Sequence, residues 1–159
     1  MNKLFLLILV LFYSPVFAQK CIDVPALNLK IIQLTKAKVK KKVGRGECWD
    51  LAQYVLDETE AEWDHFEMYG RLVDPKKECI YPGDIIQFEK VKLKWQDGKY
   101  TYKESMMHHT AIVLDVVNKN EVRIAHQNTA DFGKKVGIST LLFDRIVSGE
   151  LLIYRPVNN

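Results

Sequence analysis

The sequence lacks the cysteine and histidine spacings that mark common metal and nucleotide sites. It has 3 cysteines and 4 histidines in 159 residues, and none of them form a CxxC, HExxH or HxxxH pattern. The glycine-rich segment at residues 44–46 does not follow a predicted strand, and it lacks the third glycine or the Gly-Lys-Ser ending of phosphate-binding loops. We therefore expect neither a metal ion nor a cofactor.

The chain also lacks a strong excess of charge of either sign. Its formal net charge is +3 at pH 7, which argues against nucleic acid as a partner. Lysines between residues 90 and 103 alternate with apolar residues, a pattern typical of a half-buried sheet rather than of a nucleic-acid surface. A basic run at residues 36–45 most simply forms a solvated surface, and the alternative is a positive field beside a functional site.

No hydrophobic run is long enough to span a bilayer. The longest begins at Leu4, after the positive charge of Lys3, and covers about 14 residues where roughly 20 are needed. Ser14-Pro15 and the small-residue pattern Val16-Phe17-Ala18 then predict a signal peptide at residues 1–18 rather than an uncleaved anchor. We expect a secreted or periplasmic protein without stable membrane insertion, with a single domain at residues 19–159.

The odd number of cysteines leaves at least one thiol outside any internal disulfide. Cys21 stands near the mature N-terminus and Cys79 lies in a predicted loop, so a bridge between them would fix the terminus and leave Cys48 free. The alternative is that all three are small apolar residues or surface thiols. The sequence leaves the pairing open.

Cys48 is the strongest candidate for a catalytic residue in this sequence. A glycine-rich turn precedes it, and Trp49, Ala52 and Val55 recur after it at helical spacing. A helix N-terminus carries partial positive charge and unpaired N–H groups, which favour a thiolate and can stabilise an oxyanion beside it. We therefore predict that Cys48 is a nucleophile, against the alternative of a buried small residue.

Two histidines supply the remaining candidates for a catalytic site. His109 opens a strongly apolar predicted strand, and His126 lies on the next predicted strand, beyond a turn. We predict that His109 reaches across to the helix start as the base for Cys48 and that His126 orients its ring. Asn128 shares a strand face with His126 and is the reserve for the orienting position. Alternation sends His108 to the other strand face, so we expect no role for it.

The mature chain has helical patterns first and strand patterns afterwards, which predicts an α+β domain with N-terminal helices packed on an antiparallel sheet. Helices are predicted at residues 25–39, 48–59, 61–70 and 139–147. Strands are predicted at residues 85–88, 91–95, 100–104, 110–117, 121–127 and 151–154, with an Asp-Gly hairpin turn between the second and the third.

Several segments resemble the papain-like cysteine peptidase superfamily in its compact bacterial form, the NlpC-type and CHAP-type cell-wall hydrolases. They are the helix start Gly46-Glu47-Cys48-Trp49, the turn Tyr81-Pro82-Gly83-Asp84, the strand His109-Thr110-Ala111-Ile112-Val113 and the pair Ala125-His126 at the place of the family's third polar residue. Closer in motif is the cysteine-proteinase-fold module of fungal actin-patch and plant proteins. It shares the Gly-x-Gly-Glu-Cys-Trp start, the His-Gln-Asn strand and the closing Tyr154-Arg155-Pro156. Asp50 and its neighbours depart from the Asp-Cys-Ser-Gly of NlpC-type enzymes.

The resemblance implies a compact papain-like fold and a secreted or periplasmic cysteine hydrolase. Cys48, His109 and His126 are then expected to cleave an amide of a peptide or of a peptidoglycan cross-link through an acyl-thioester. The alternative is a catalytically silent module of the same fold that binds a protein or cell-wall partner. The sequence leaves the substrate and the oligomeric state open.

Overall fold

A computed structural model describes residues 21–158 as two helices followed by a sheet, and the predicted signal peptide at residues 1–18 lies outside the described residues. The helices are α1 (Ala26–Lys38) and α2 (Asp50–Glu58). The strands are β1 (Arg71–Val73), β2 (Ile85–Asp97), β3 (Tyr100–Asn118), β4 (Glu121–His126), β5 (Gly137–Leu142) and β6 (Ile146–Arg155). Neither helix of this part of the chain is long and apolar enough to cross a bilayer.

The six strands form one antiparallel sheet in the order β1-β6-β2-β3-β4-β5. Its centre is a long hairpin in which β2 pairs with β3 from Ile85↔Ile112 to the turn at Asp97↔Tyr100. Gly98 has a φ of +57° in that turn, a conformation that favours glycine. The α+β class with an antiparallel sheet is confirmed, and the strand segments that the sequence predicts separately merge into long continuous strands.

Side-chain alternation divides the sheet into two apolar faces. We call the face on which α1 and α2 pack the helical face, and its buried residues include Ile85, Ile112 and Ala125. The other, which we call the opposite face, includes their chain neighbours Ile86 and Ala111. Because neighbouring side chains of a strand point to opposite faces, each site residue can be assigned to one of the two.

Two predicted helices are absent from the described residues. A side-chain hydrogen-bonded turn explains the first, and strand pairing explains the second. Within residues 61–70, a carboxylate oxygen of Asp64 accepts the backbone N–H groups of Phe66 and Met68, each at 2.9 Å. These bonds hold the segment in a turn, since they take donors that a helix would use. Residues 139–147 instead complete β5, a single 3₁₀ turn and the start of β6, because pairing with β4 favours a strand there.

The Pro-Gly-Asp turn is a structural anchor. Asp84 is fully buried, and its two carboxylate oxygens accept bonds from Arg155 Nε at 3.1 Å and Arg155 Nη2 at 2.8 Å. The same carboxylate accepts the backbone N–H of Tyr81 at 2.8 Å and the side-chain amide of Asn28 at 2.9 Å. One residue therefore joins α1, the start of β2 and the end of β6.

A disulfide links Cys21 to Cys79, with 5.6 Å between their Cα atoms, and Cys48 is a free cysteine. Of the alternatives that the sequence leaves open, this pairing is the one that leaves Cys48 unbridged. The bridge attaches the segment before α1 to the loop that leads into β2, across a sequence separation of 58 residues.

Mass analysis without reduction is expected to find one alkylatable thiol, in the peptide that contains Cys48. The free energy of unfolding of the double variant Cys21→Ser/Cys79→Ser should be about 2–4 kcal/mol lower than that of wild type, because a disulfide restricts the unfolded chain. Cys48→Ser is the matched control and should leave the denaturant midpoint nearly unchanged. Recovery of Cys48 in a bridged peptide would contradict the assignment.

Candidate active site

Cys48 is half-buried in the turn that immediately precedes α2. The chain enters this turn through Gly44 and Gly46, whose φ angles of +53° and +87° favour glycine. A Cβ on Gly46 would also come within 2.7 Å of the Lys134 side chain. The glycine-rich pattern that precedes Cys48 is therefore required by the backbone of the turn.

A buried carboxylate holds this turn from the helix side. Oδ2 of Asp50 accepts the backbone N–H groups of Arg45 at 2.7 Å and Glu47 at 3.1 Å, and Oδ1 accepts the Arg45 guanidinium at 3.0 Å. Burial alone raises the pKa of Asp50, but the hydrogen bonds from Glu47 and Arg45 outweigh burial and hold that pKa below its ordinary value. Asp50 is therefore a stable anion at neutral pH.

The end of β4 holds the same turn from the sheet side. Oε1 of Gln127 accepts the backbone N–H of Val43 at 3.2 Å, and its Nε2 donates to the carbonyls of Val43 at 3.1 Å and Glu47 at 2.7 Å. Asn128 donates from Nδ2 to the Glu47 carboxylate at 3.0 Å. Asn128, the reserve for the orienting position, thus contacts the Cys48 turn, whereas the histidine beside His109 is His126.

The structure brings His109 and His126 together. Nε2 of His109 lies 3.0 Å from Nδ1 of His126, and Nε2 of His126 lies 2.9 Å from Oγ of Ser139. Phe88 packs beside the first ring and Phe132 beside the second, with ring centroids 5.9 Å and 6.0 Å apart. Sequence reasoning missed Ser139 because it assigned that segment to a helix, whereas β5 places its hydroxyl beside β4.

Both histidines are neutral at physiological pH. Burial lowers the pKa of His109 to about 4, with a smaller contribution from His108, and burial with the charge of His109 lowers the pKa of His126 to about 4. A neutral imidazole has one N–H donor and one acceptor nitrogen, so His109, His126 and Ser139 can form a continuous chain of hydrogen bonds. When His109 donates to His126, and His126 to Ser139, Nδ1 of His109 keeps its lone pair.

Nδ1 of His109 makes no hydrogen bond with any residue in the range 21–158. The residue as a whole is buried, with 8% of its surface exposed. One nitrogen of the ring is therefore held by His126, and the other has no hydrogen-bond partner in this part of the chain.

The position of His109 relative to the sheet differs from expectation. We expected its ring to reach across to the start of α2, but alternation along β3 places it with Phe88 on the opposite face. Pairing of β3 with β4 ends at Ile112↔Ala125, and the same register continued would set Asn128 opposite His109. Asn128 does not continue that pairing, because it has a φ of +62° and donates to the Glu47 carboxylate.

On the helical face, near Cys48, three polar side chains form a second chain of hydrogen bonds. Tyr69 and Thr110 have their hydroxyl oxygens 3.2 Å apart, and Thr110 donates to Oε1 of Gln87 at 2.7 Å. Burial raises the pKa of Tyr69 to about 12, the bond to Thr110 opposes that rise, and negative charge on Cys48 adds to it. Gln87 also lies 3.2 Å from Nδ1 of His108, so His108 shares the face of Cys48.

Among the described residues, Glu67, Glu89 and His108 form the group with ligand atoms close enough to hold a cation, all within 4.8 Å of one another. Nε2 of His108 faces Glu67 at 3.2 Å, and Nδ1 faces Glu89 at 2.9 Å. The two ring nitrogens thus face different carboxylates, and a neutral imidazole can donate a hydrogen bond to one of them. The expectation that the protein uses no metal stays a prediction.

Comparison with known proteins gives one family and two individual likenesses. Residues 27–159 match the AIM3/BBC1 cysteine proteinase-fold domain. A segment of 81 residues is 33% identical to "SH3 domain-containing protein C23A1.17" of Schizosaccharomyces pombe, and the match takes in 48% of this chain and 5% of that much longer protein. The crystal structure of Ly7917 superposes with a TM-score of 0.45 at 15% identity, over 80% of this chain and 62% of that one.

Proposed function

The chain belongs to the family of AIM3/BBC1 cysteine proteinase-fold domains, and from this premise we propose that it is a thiol hydrolase. Cys48 is the nucleophile, His109 the base and His126 the orienting residue, and the substrate is an amide of a peptide or of a peptidoglycan cross-link. The observation that carries the proposal is the state of His109, whose Nε2 is held by His126 while Nδ1 makes no hydrogen bond among the described residues.

The reaction follows from these roles. Nδ1 of His109 takes the proton of the Cys48 thiol, and the sulfur attacks the carbonyl carbon of the amide. The negative charge that forms on sulfur favours the protonated ring beside it. His109 then gives the proton to the leaving amine as the C–N bond breaks, which leaves an acyl-thioester. Water, deprotonated by the same nitrogen, hydrolyses the thioester and restores the thiol.

A neutral, oriented imidazole suits this cycle. Burial keeps His109 and His126 unprotonated over the physiological range, so the base is in its active form before the substrate arrives. The hydrogen bond that His109 donates to His126 would hold the ring plane and keep the proton on Nε2, as the third residue of a catalytic triad does.

A second candidate is a catalytically silent module that binds a protein or a cell-wall component. The observation that favours it is the position of the His109 ring on the opposite face, away from the face on which α2 packs. In that case Cys48 is a structural residue of the turn, and the buried histidines stabilise the sheet.

For the site of action we propose the outside of the cell or the periplasm. The Cys21–Cys79 disulfide supports this, because disulfides persist in oxidising compartments and are rare in the cytosol. The N-terminal sequence pattern supports it as well.

Alkylation of Cys48 separates the two candidates. For the hydrolase, iodoacetamide at pH 6 should label Cys48 in the native protein at least about 10-fold faster than in the denatured protein, because the active site stabilises the thiolate. His109→Ala should remove that advantage, whereas His108→Ala should keep it. Labelling that rises only near pH 8.5, the ordinary range for a cysteine, and does not respond to His109→Ala would contradict the hydrolase and support the silent module.

A further inference from the structure

Gln127 is a fully buried polar residue whose side-chain hydrogen bonds all go to the backbone of the segment just before Cys48. It has no exposed surface, and its amide makes three hydrogen bonds, all to the backbone of Val43 and Glu47. One acceptor and two donors are used, a combination that only an amide side chain offers. Those two backbone positions lie five residues and one residue before Cys48.

The same dipeptide serves both halves of the site. His126 and Gln127 are adjacent, and alternation sends their side chains to different faces of the sheet. His126 therefore binds the His109 ring on the opposite face, while Gln127 binds the Cys48 turn on the helical face. Residues 126 and 127 therefore contact both the His109 ring and the turn that contains Cys48.

We propose that Gln127 is a positioning residue, which holds the Cys48 turn in a fixed place relative to the His109–His126 pair. This role rests on the proposed hydrolase function. The turn needs such support because Gly44 and Gly46 make its backbone intrinsically permissive. Asp50 fixes it to α2, and Gln127 and Asn128, which follow the strand that carries His126, bind it from the sheet side.

Loss of this contact affects rate more than substrate binding. A displacement of about 1 Å between reacting groups costs on the order of 10²-fold in rate. We expect Gln127→Ala to lower kcat by about 10-fold to 100-fold while KM stays within about 3-fold. Gln127→Glu keeps the size of the side chain but replaces both donors with acceptors that face two carbonyls, so its effect should be at least as large.

The control is Asn28→Ala. Asn28 is also a fully buried amide, and it donates to the Pro82 carbonyl at 3.0 Å and to the Asp84 carboxylate at 2.9 Å, away from the Cys48 turn. Both alanine variants should lower the denaturant midpoint. Only the Gln127 variants should slow Cys48 alkylation at pH 6 and speed hydrogen exchange in residues 43–48, measured by mass spectrometry on the full chain.

The outcomes distinguish this proposal from the proposed function. If exchange in residues 43–48 stays slow in both Gln127 variants, or if Asn28→Ala slows alkylation to the same degree, the positioning role is overturned. If the wild type shows neither fast alkylation nor turnover, the hydrolase proposal fails. Faster exchange in residues 43–48 of the Gln127 variants then still shows that Gln127 fixes the turn, whereas unchanged exchange overturns that too.

Discussion

Replacing Cys48 with alanine is expected to lower amide hydrolysis by at least about 10³-fold, and His109→Ala should lower it to the same degree. The two losses should not add in the double variant, because nucleophile and base act as a unit. His126→Ala should lower kcat by about 10²-fold and leave a measurable remainder, since the orienting group takes no proton from the substrate or from Cys48. Release of new amines from peptidoglycan fragments and from a peptide library measures the rates.

His108→Ala is the matched control for His109→Ala. His108 is the chain neighbour of His109, it is half exposed, and its ring faces Glu67 and Glu89 rather than His126. Turnover should stay within about 3-fold of wild type, since a surface contact of this kind contributes little. Abolition of turnover by His108→Ala with survival of His109→Ala would make His108 the base, acting from the helical face that it shares with Cys48.

The same assay should show an unusually acid pH profile. The pKa of His109 and His126 is lowered to about 4 in the fold, whereas histidine in an unfolded chain titrates near about 6.5. The neutral base therefore persists to low pH, and kcat/KM should fall only as the pH drops towards about 4. The unfolded chain binds more protons between these two values, so the free energy of unfolding should also decrease as the pH falls from about 6.5 to about 4. An acid limb of kcat/KM near pH 6.5 would contradict the buried, neutral pair.

Asp84→Ala is expected to lower the free energy of unfolding by about 3–5 kcal/mol, the largest stability loss that we expect from a single change. The variant leaves the Arg155 guanidinium buried without its carboxylate, and it removes the acceptor of Tyr81 and Asn28. Chemical denaturation followed by circular dichroism measures the loss.

The double variant Asp84→Ala/Arg155→Met separates the pair from packing. It should recover part of the loss, because it removes the unpaired charge instead of leaving it buried. Lys77→Ala, which breaks the exposed contact of Lys77 with Asp74, serves as the control and should change the midpoint little. A midpoint for Asp84→Ala equal to that of wild type would show that this cluster does not hold the fold together.

The sequence predicts the elements whose signals are local. The α2 period and the Asp-Gly hairpin turn are both present in the structure, whereas the Cys21–Cys79 bridge joins residues 58 positions apart and was one of two alternatives that the sequence left open. The segments at 61–70 and 139–147 were predicted wrongly, since their conformations depend on an Asp64 side-chain turn and on pairing with β4.

The candidate site likewise has features that the sequence predicts and features that it does not. A free Cys48 before a helix and two histidines on successive strands follow from spacing, and the structure shows His109 and His126 in contact. The face of the sheet on which each ring lies, and the roles of Ser139 and Gln127, depend on register and on long-range hydrogen bonds. A single sequence does not encode those in any local pattern. The catalytic roles themselves stay predictions.

The place of β6 in the sheet determines when the protein can fold. This strand, the last of the described strands, lies between β1 and β2, and it places Arg155 beside Asp84 across 71 residues of sequence. During synthesis, β1 and β2 lack the strand that lies between them until β6 has left the ribosome. Until then the Asp84 carboxylate also lacks the Arg155 guanidinium. Contacts of such high sequence separation make folding slow. The domain should therefore stay open until β6 has been synthesised, so a ribosome-bound chain stalled before residue 146 should remain sensitive to protease.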